Sequence, residues 1–209
     1  MTKVLAKGLA LAFVGSLFVA GSAMALPVFS DDFNAENGGD GVGNYSSFNN
    51  WKVDNGTVDL VGGTYHGYLA LDGLSVDLDG STGDAGRLTS KDFSVQAGQT
   101  YTFSFDIAGN QRGGADDTFV VSVNVSDYFN KSFTLATTDD WQTISHEVFM
   151  YTNTASIVFN HDGGDNTGAL LDNVSFDAAP VPEPATMLLF GTGLAGLAGY
   201  GRRKRSQRK

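Results

Sequence analysis

The sequence predicts an all-β protein: a single antiparallel β-sandwich of the jelly-roll kind, set between an N-terminal signal peptide and a single C-terminal transmembrane helix. Three observations carry this expectation. Apolar and polar residues alternate in short runs, as where Tyr101, Phe103, Phe105 and Ile107 oppose Thr102, Ser104 and Asp106. Clusters of Gly, Asp and Asn at 37–41, 79–83, 113–117 and 162–166 separate the runs and suit turns. Between residues 26 and 180 no convincing helical stretch interrupts the pattern, so about ten short strands must pair antiparallel and close their apolar faces on one another.

Residues 1–25 read as the export leader. Lys3 and Lys7 form a basic start, 8–20 is apolar, and Ser22, Ala23 and Ala25 are the small residues that signal peptidase accepts, with cleavage expected between Ala25 and Leu26. Strands are then expected at 28–33, 51–53, 57–61, 68–71, 75–78, 87–95, 100–107, 119–125, 132–135, 143–150, 155–160 and 169–176. No repeat or internal linker interrupts 26–180, which has the length of one domain. That portion holds five Lys and Arg against 22 Asp and Glu, a formal charge of −17. Such an excess excludes nucleic acid and anionic lipid as partners of the folded part. Cysteine is absent, so neither disulfides nor thiol chemistry is available.

Residues 181–209 have three parts in a fixed order. Val181, Pro182, Glu183 and Pro184 form an extended, helix-breaking approach. An apolar span at about 185–201 follows, then a basic tail at 202–209 opening on Arg202, Arg203, Lys204 and Arg205, which holds that end on the cytoplasmic side. Sixteen residues from Ala185 to Tyr200 make roughly 24 Å of helix, against a hydrocarbon core of about 30 Å. Gly191, Gly193, Gly196 and Gly199 weaken it further, which suits transient insertion better than permanent anchorage. This tail resembles the PEP-CTERM sorting signal of Gram-negative bacteria that make exopolysaccharide; the alternative is an ordinary C-terminal anchor. The resemblance implies an inner-membrane intermediate, an exosortase that removes the signal, and a product at the cell surface or in the extracellular matrix.

The runs 29–34 (Phe29-Ser-Asp-Asp-Phe-Asn34), 98–105 and 170–176 (Leu170-Leu-Asp-Asn-Val-Ser-Phe176), with Trp51 after a glycine-rich loop, resemble galactose-binding-like jelly rolls. Many carbohydrate-binding modules are of this type, and the resemblance implies a structural Ca2+ where the first and last strands meet. The placement of charge in these strands points the same way. Simple alternation sets Asp172 on a face with Leu170, Val174 and Phe176, and Asp31 with Phe29 and Phe33, and neither strand contains a Lys or Arg. A buried carboxylate without a partner is costly, so an ion bridging Asp31 or Asp32 with Asp172, completed near Asp40, is one expectation. The other is that Asp172 ends its strand at the surface and binds nearby amides.

Sugar binding needs aromatic platforms, and Trp51, Tyr65, Tyr68, Tyr128 and Trp141 lie near expected loops; core packing is the competing role for each. Catalysis has no footing. The three histidines share no motif, no Gly-x-Ser-x-Gly occurs in the domain, and only three Glu are present for acid–base work. The expected function is a non-catalytic, exosortase-processed surface or matrix protein associated with exopolysaccharide. A carbohydrate-binding module with a defined glycan is the alternative, and a polysaccharide hydrolase a more distant one.

Overall fold

The computed structural model describes residues 27–124, 128–178 and 191–194. Thirteen strands follow in chain order: β1 (Phe29–Asp31), β2 (Trp51–Asp54), β3 (Asp59–Gly62), β4 (Leu74–Asp77), β5 (Arg87–Ser90), β6 (Phe93–Ser94), β7 (Thr100–Ala108), β8 (Asp117–Val123), β9 (Phe129–Leu135), β10 (Gln142–Phe149), β11 (Thr154–Ala155), β12 (Ile157–His161) and β13 (Leu170–Ala178). One sheet runs β10-β7-β13-β4-β3, with β1 pairing the far half of β13; the other runs β2-β5-β12-β8-β9. The strand pairings are antiparallel, and non-sequential neighbours such as β7 and β13 make the crossovers of a β-sandwich.

Period-two alternation explains the layers. Along β7, Tyr101, Phe103, Phe105 and Ile107 are buried while Thr102, Ser104 and Asp106 are half-exposed on the other face. Phe119, Val121 and Val123 of β8 and Phe159 of β12 face them from the second sheet. The core is built on edge-to-face rings, with Phe105 and Phe159 at 5.3 Å between centroids. Fully burying one such ring is worth about 2–3 kcal/mol. These aromatics therefore supply much of what holds two sheets together without disulfides.

Three departures from expectation bear on the surfaces described below; in addition, the expected strand 155–160 is divided into β11 and β12, and those at 28–33 and 119–125 end at Asp31 and Val123. The run 68–71 is not a strand: Gly67–Leu69 is a single 3-10 turn entered through His66 at φ 51°, a left-handed residue that no strand continues through. The expected strand at 87–95 is two. After β5, the Lys91 amide bonds to Asn50 O, and β6 crosses to pair with β11. In β13 the pairing with β7 slips between Asp172 and Ser175, where Asn173 is left-handed at φ 48°. This bulge inverts the alternation that the sequence suggests. Leu171, Val174 and Phe176 face the core, while Leu170 and Asp172 face outward.

The signal-peptide cleavage pair Ala25–Leu26, the sorting residues Val181, Pro182, Glu183 and Pro184, and the basic residues Arg202, Arg203, Lys204 and Arg205 lie outside the described residues. So does the apolar span apart from 191–194, which are helical. Among the described residues no helix is long and apolar enough to cross a membrane.

Candidate functional site

The outer face of the six-stranded sheet gathers most of the unassigned polar chemistry. The bulge at Asn173 is its hinge. It turns Asp172 outward, and the Asn173 side chain swings over β7, where its Nδ2 donates to Asp106 Oδ2 at 2.9 Å. Thr143, opposite Asp106 on β10, donates its hydroxyl to Asp106 Oδ1 at 2.5 Å. Asp172 is 1% exposed; its Oδ2 accepts from Ser75 Oγ at 2.8 Å and its Oδ1 from the Asn173 amide at 2.7 Å. Burial pushes this carboxyl up to about 7, the negative charges of Asp106 and Asp32 add to the rise, and the Ser75 and Asn173 hydrogen bonds oppose it.

At one end of this face, Val61, Leu69, Ala108 and Leu170 form a small apolar cluster beneath the 63–73 loop, with Tyr65 and Trp141 packed against it. Trp141 stands just ahead of β10, and with Leu71, Asp106, Gln142 and Thr143 it lines an open cavity of about 140 Å³. Where β1 meets β13 lies a larger depression of about 430 Å³, lined by Ser30, Asp31, Asp32, Ala35, Asn50 and residues 173–175. Asn173 borders this depression and holds Asp106, which lines the smaller cavity. An aromatic ring beside a carboxylate and hydroxyl and amide groups is the chemistry that grips a polyhydroxylated ring. The indole covers C–H surface, while the carboxylate and amides bind hydroxyls.

The four expected metal ligands do not form one site. Asp31 pairs across β1–β13 with Val174, on the inner side, and its Oδ2 accepts from Trp51 Nε1 at 2.9 Å and from Asn50 Nδ2 at 3.0 Å. Its Oδ1 takes the Phe33 amide. Asp172 lies on the opposite face, so the bulge separates the pair that plain alternation brings together. Nor does Asp172 end its strand at the surface: it is buried within the sheet. Asp32 Oδ1 closes a local turn by accepting from the Asn34 amide at 3.1 Å. Asp40 clamps a different turn, accepting from the Thr64 amide and hydroxyl, and these bonds hold its carboxyl below the ordinary range. Among the described residues no three His, Asp or Glu side chains are grouped to hold a metal ion. The absence of Lys and Arg from these strands is met instead by indole, amide and hydroxyl donors.

The five aromatic candidates divide. Trp51 is a core residue, 2% exposed, tilted against Phe159 and edge-on to Phe29. Tyr65 is half-buried, and its hydroxyl donates to Asp59 Oδ2 at 3.1 Å. Tyr68 is 72% exposed beside His66 and lines neither of the two cavities described above. Tyr128 lies 5.6 Å from Tyr151, which meets Phe149 edge-on. Only Trp141 joins an aromatic surface to a carboxylate in a cavity. Sequence reading did not assign Asp106, Thr143 or Asn173. Asp106 was visible as the polar member of the β7 alternation, but its partners depend on a crossover and a bulge.

Residues 30–177 match the family described as "Protein of unknown function (DUF642)". The chain belongs to the DUF642 family. Residues 180–205, following the DUF642 domain, match the PEP-CTERM protein-sorting motif. Among solved structures, the DUF642 chain is similar to a family 61 carbohydrate-binding module in complex with β-1,4-galactotriose, at TM-score 0.48 and 17% identity over 63% of this chain and 90% of that one. It is also similar to the CBM22-1 xylan-binding domain from Paenibacillus barcinonensis Xyn10C, at TM-score 0.47 and 11% identity over 76% and 98% of the two chains. A third similar structure is an exo-β-1,3-galactanase from Phanerochaete chrysosporium with β-1,3-galactotriose, at TM-score 0.40 and 17% identity over 66% and 29%. No curated protein matches the chain by sequence.

Proposed function

We propose that this DUF642 protein is exported through the inner membrane of a Gram-negative bacterium, is processed by exosortase at its PEP-CTERM tail, and acts as a non-catalytic glycan-binding component of the cell surface or matrix. The proposed ligand is the exopolysaccharide among which it is delivered. One observation carries the binding half of this reading: Trp141 and Asp106 share an open cavity on the outer sheet face, with Thr143 and Gln142 beside them. A pyranose seated there would stack its C–H face on the indole and donate hydroxyls to Asp106. The neighbouring depression, with Asp32, Asn50 and Asn173, gives room for further residues of the same chain. The sorting half rests on the motif at 180–205. The domain charge of −17 fits a neutral or cationic glycan better than a polyanionic one.

Titration of the secreted protein with purified exopolysaccharide tests the binding reading, using Trp141→Ala as the comparison. Retention of binding by the folded variant would reject this cavity as the site. Release of reducing sugar by the wild type that vanishes in Asp106→Asn would convert the reading from binding module to hydrolase.

A further inference from the structure

The loops 78–86, 109–116 and 162–169 meet at the end of the sandwich where β4, β7 and β12 finish, and they enclose an electrostatic imbalance. Asp79 is 0% exposed, and neither of its carboxylate oxygens has a hydrogen-bond partner. Around it stand His161, Asp165 and Asp117, whose charges it feels. His161 is 6% exposed, and its Nε2 is also without a hydrogen-bond partner, 3.5 Å from Asp117 Oδ1. Asp117, Asp165 and His161 line one small cavity of about 130 Å³, together with Asp116, Gly163 and Gly164.

Protein groups correct the imbalance only in part. His161 Nδ1 accepts from the Gly163 amide at 3.0 Å, which leaves Nε2 as the donor nitrogen of the ring. Asp117 Oδ2 is met only by the neutral Asn110 amide, at 2.9 Å. The Asp165 amide approaches Asp79 without reaching hydrogen-bond geometry. All five Lys and Arg of the domain are engaged elsewhere. Arg112 pairs with Asp77, Arg87 and Lys52 pair with Asp54, Lys91 binds Asn49 O and Lys131 meets His146. Burial drives the Asp79 carboxyl up, the His161 ring and the Asp165 amide oppose the rise, and the charges of Asp165 and Asp117 add to it. A fully buried acid without a hydrogen-bonded oxygen, beside two further carboxylates, a single imidazole and, among the described residues, no free Lys or Arg, favours an added positive charge.

We propose that this loop cluster binds a hard divalent cation, Ca2+ by its chemistry, through the carboxylates of Asp79 and Asp117 or Asp165 with main-chain oxygens and water. The donors are oxygen atoms, because the Gly163 bond denies His161 a free lone pair at Nε2. Three side chains do not already surround one point, so the ion would draw two carboxylates together and take its remaining ligands from backbone and solvent. The site is separate from the meeting of the first and last strands, where Asp31 and Asp172 are already bonded. It is also independent of the glycan cavity.

Thermal unfolding of the full secreted protein in EDTA, in Mg2+ and in Ca2+ tests it. The expected result is a rise in Tm of about 5 °C or more at saturating Ca2+. In Asp79→Asn that rise is lost, while the Tm in EDTA equals or exceeds that of the wild type, because the substitution removes an uncompensated charge. Asp172→Asn keeps the full Ca2+ response. If Asp79→Asn does not fold, Asp165→Asn on the exposed side of the cavity carries the same expectation, read as at least a tenfold loss of Ca2+ affinity in calorimetric titration. No Ca2+ response in the wild type, a response undiminished in Asp79→Asn, or one lost in Asp172→Asn would each overturn the assignment.

Discussion

Asp172→Asn isolates the energetic cost of holding a carboxyl inside the outer sheet face. Asp172 has its folded value raised from 3.8 to about 7, first by burial. With the folded value raised, the native state holds a proton that the unfolded chain has released. The stability this group contributes is therefore complete below pH 3.8 and is lost as pH climbs through 7. From pH 5 to pH 8 the loss integrates to about 3 kcal/mol, since one pH unit in the steep region is worth about 1.4 kcal/mol. For a domain of this size that is about 6–10 °C in Tm. Asparagine keeps one acceptor for Ser75 or the Asn173 amide and cannot ionise. The assay is thermal unfolding of both proteins in EDTA at pH 5 and pH 8. Asp77, also raised to about 7 by burial, contributes equally to both and cancels in the difference. The wild type is expected to lose about 3 kcal/mol more than the variant over that interval. Equal losses in the two proteins would refute the account of Asp172 as a buried acid bonded by Ser75 and Asn173.

Three further outcomes follow from particular contacts. Gly109→Ala would place a Cβ 2.0 Å from Ala136 O, so the β7–β8 connection must move at a cost of about 3 kcal/mol, read by denaturant titration. Asn173→Val should cost about 2 kcal/mol more than Asn173→Gly, because a β-branched residue is strained at φ 48° whereas glycine is not. Similar stabilities for the two would remove backbone strain from the description of the bulge. Trp51→Phe deletes the indole donor to Asp31 Oδ2 and leaves Asn50 Nδ2 there; a loss of about 1–2 kcal/mol in chemical unfolding is expected, with the m-value unchanged.

The fold was legible because its signals are local. The alternation of 100–107 survives as a single strand with the expected faces. The glycine- and Asp-rich runs at 79–83 and 162–166 do lie between strands, and that at 113–117 runs into the first residue of β8. What sequence did not disclose depends on single residues whose effect is non-local. Asn173 follows an Asp in an otherwise regular run, and its left-handed backbone reverses the parity of β13 before the core residues Val174 and Phe176. Once parity is reversed, Asp31 and Asp172 fall on opposite faces, although both residues lie in the expected strands; of the two first-strand candidates it is Asp32 whose charge reaches Asp172. Trp51 misleads for a related reason. An indole needs a hydrogen-bond partner wherever it is buried, and Asp31, twenty residues away, supplies it inside the sandwich. The Trp141 cavity has the opposite history. The aromatic was recognisable, whereas its partner Asp106 reaches it only through the pairing of β10 with β7.

Counting donors sorts the acidic residues better than counting acids. A carboxylate has about four lone-pair directions, and those already filled by fixed backbone or core donors are poor sites for a ligand. Asp59 receives the Asn44 and Ser81 amides and two hydroxyls, so it belongs to the architecture of the 41–45 and 81 loops. Asp31 and Asp40 each receive at least three donors and are structural by the same measure. Asp106 receives only the exposed side chains of Thr143 and Asn173, which can be exchanged for sugar hydroxyls without unfolding a strand. Asp79 receives no side-chain donor among the described residues and is sealed from solvent, which sets it apart from the other two classes. These acidic residues thus separate into structural acceptors, one open acceptor beside an aromatic ring, and one buried carboxyl without a side-chain donor. On the two proposals above, glycan and ion belong to opposite ends of that donor scale, and hence to different places on the molecule.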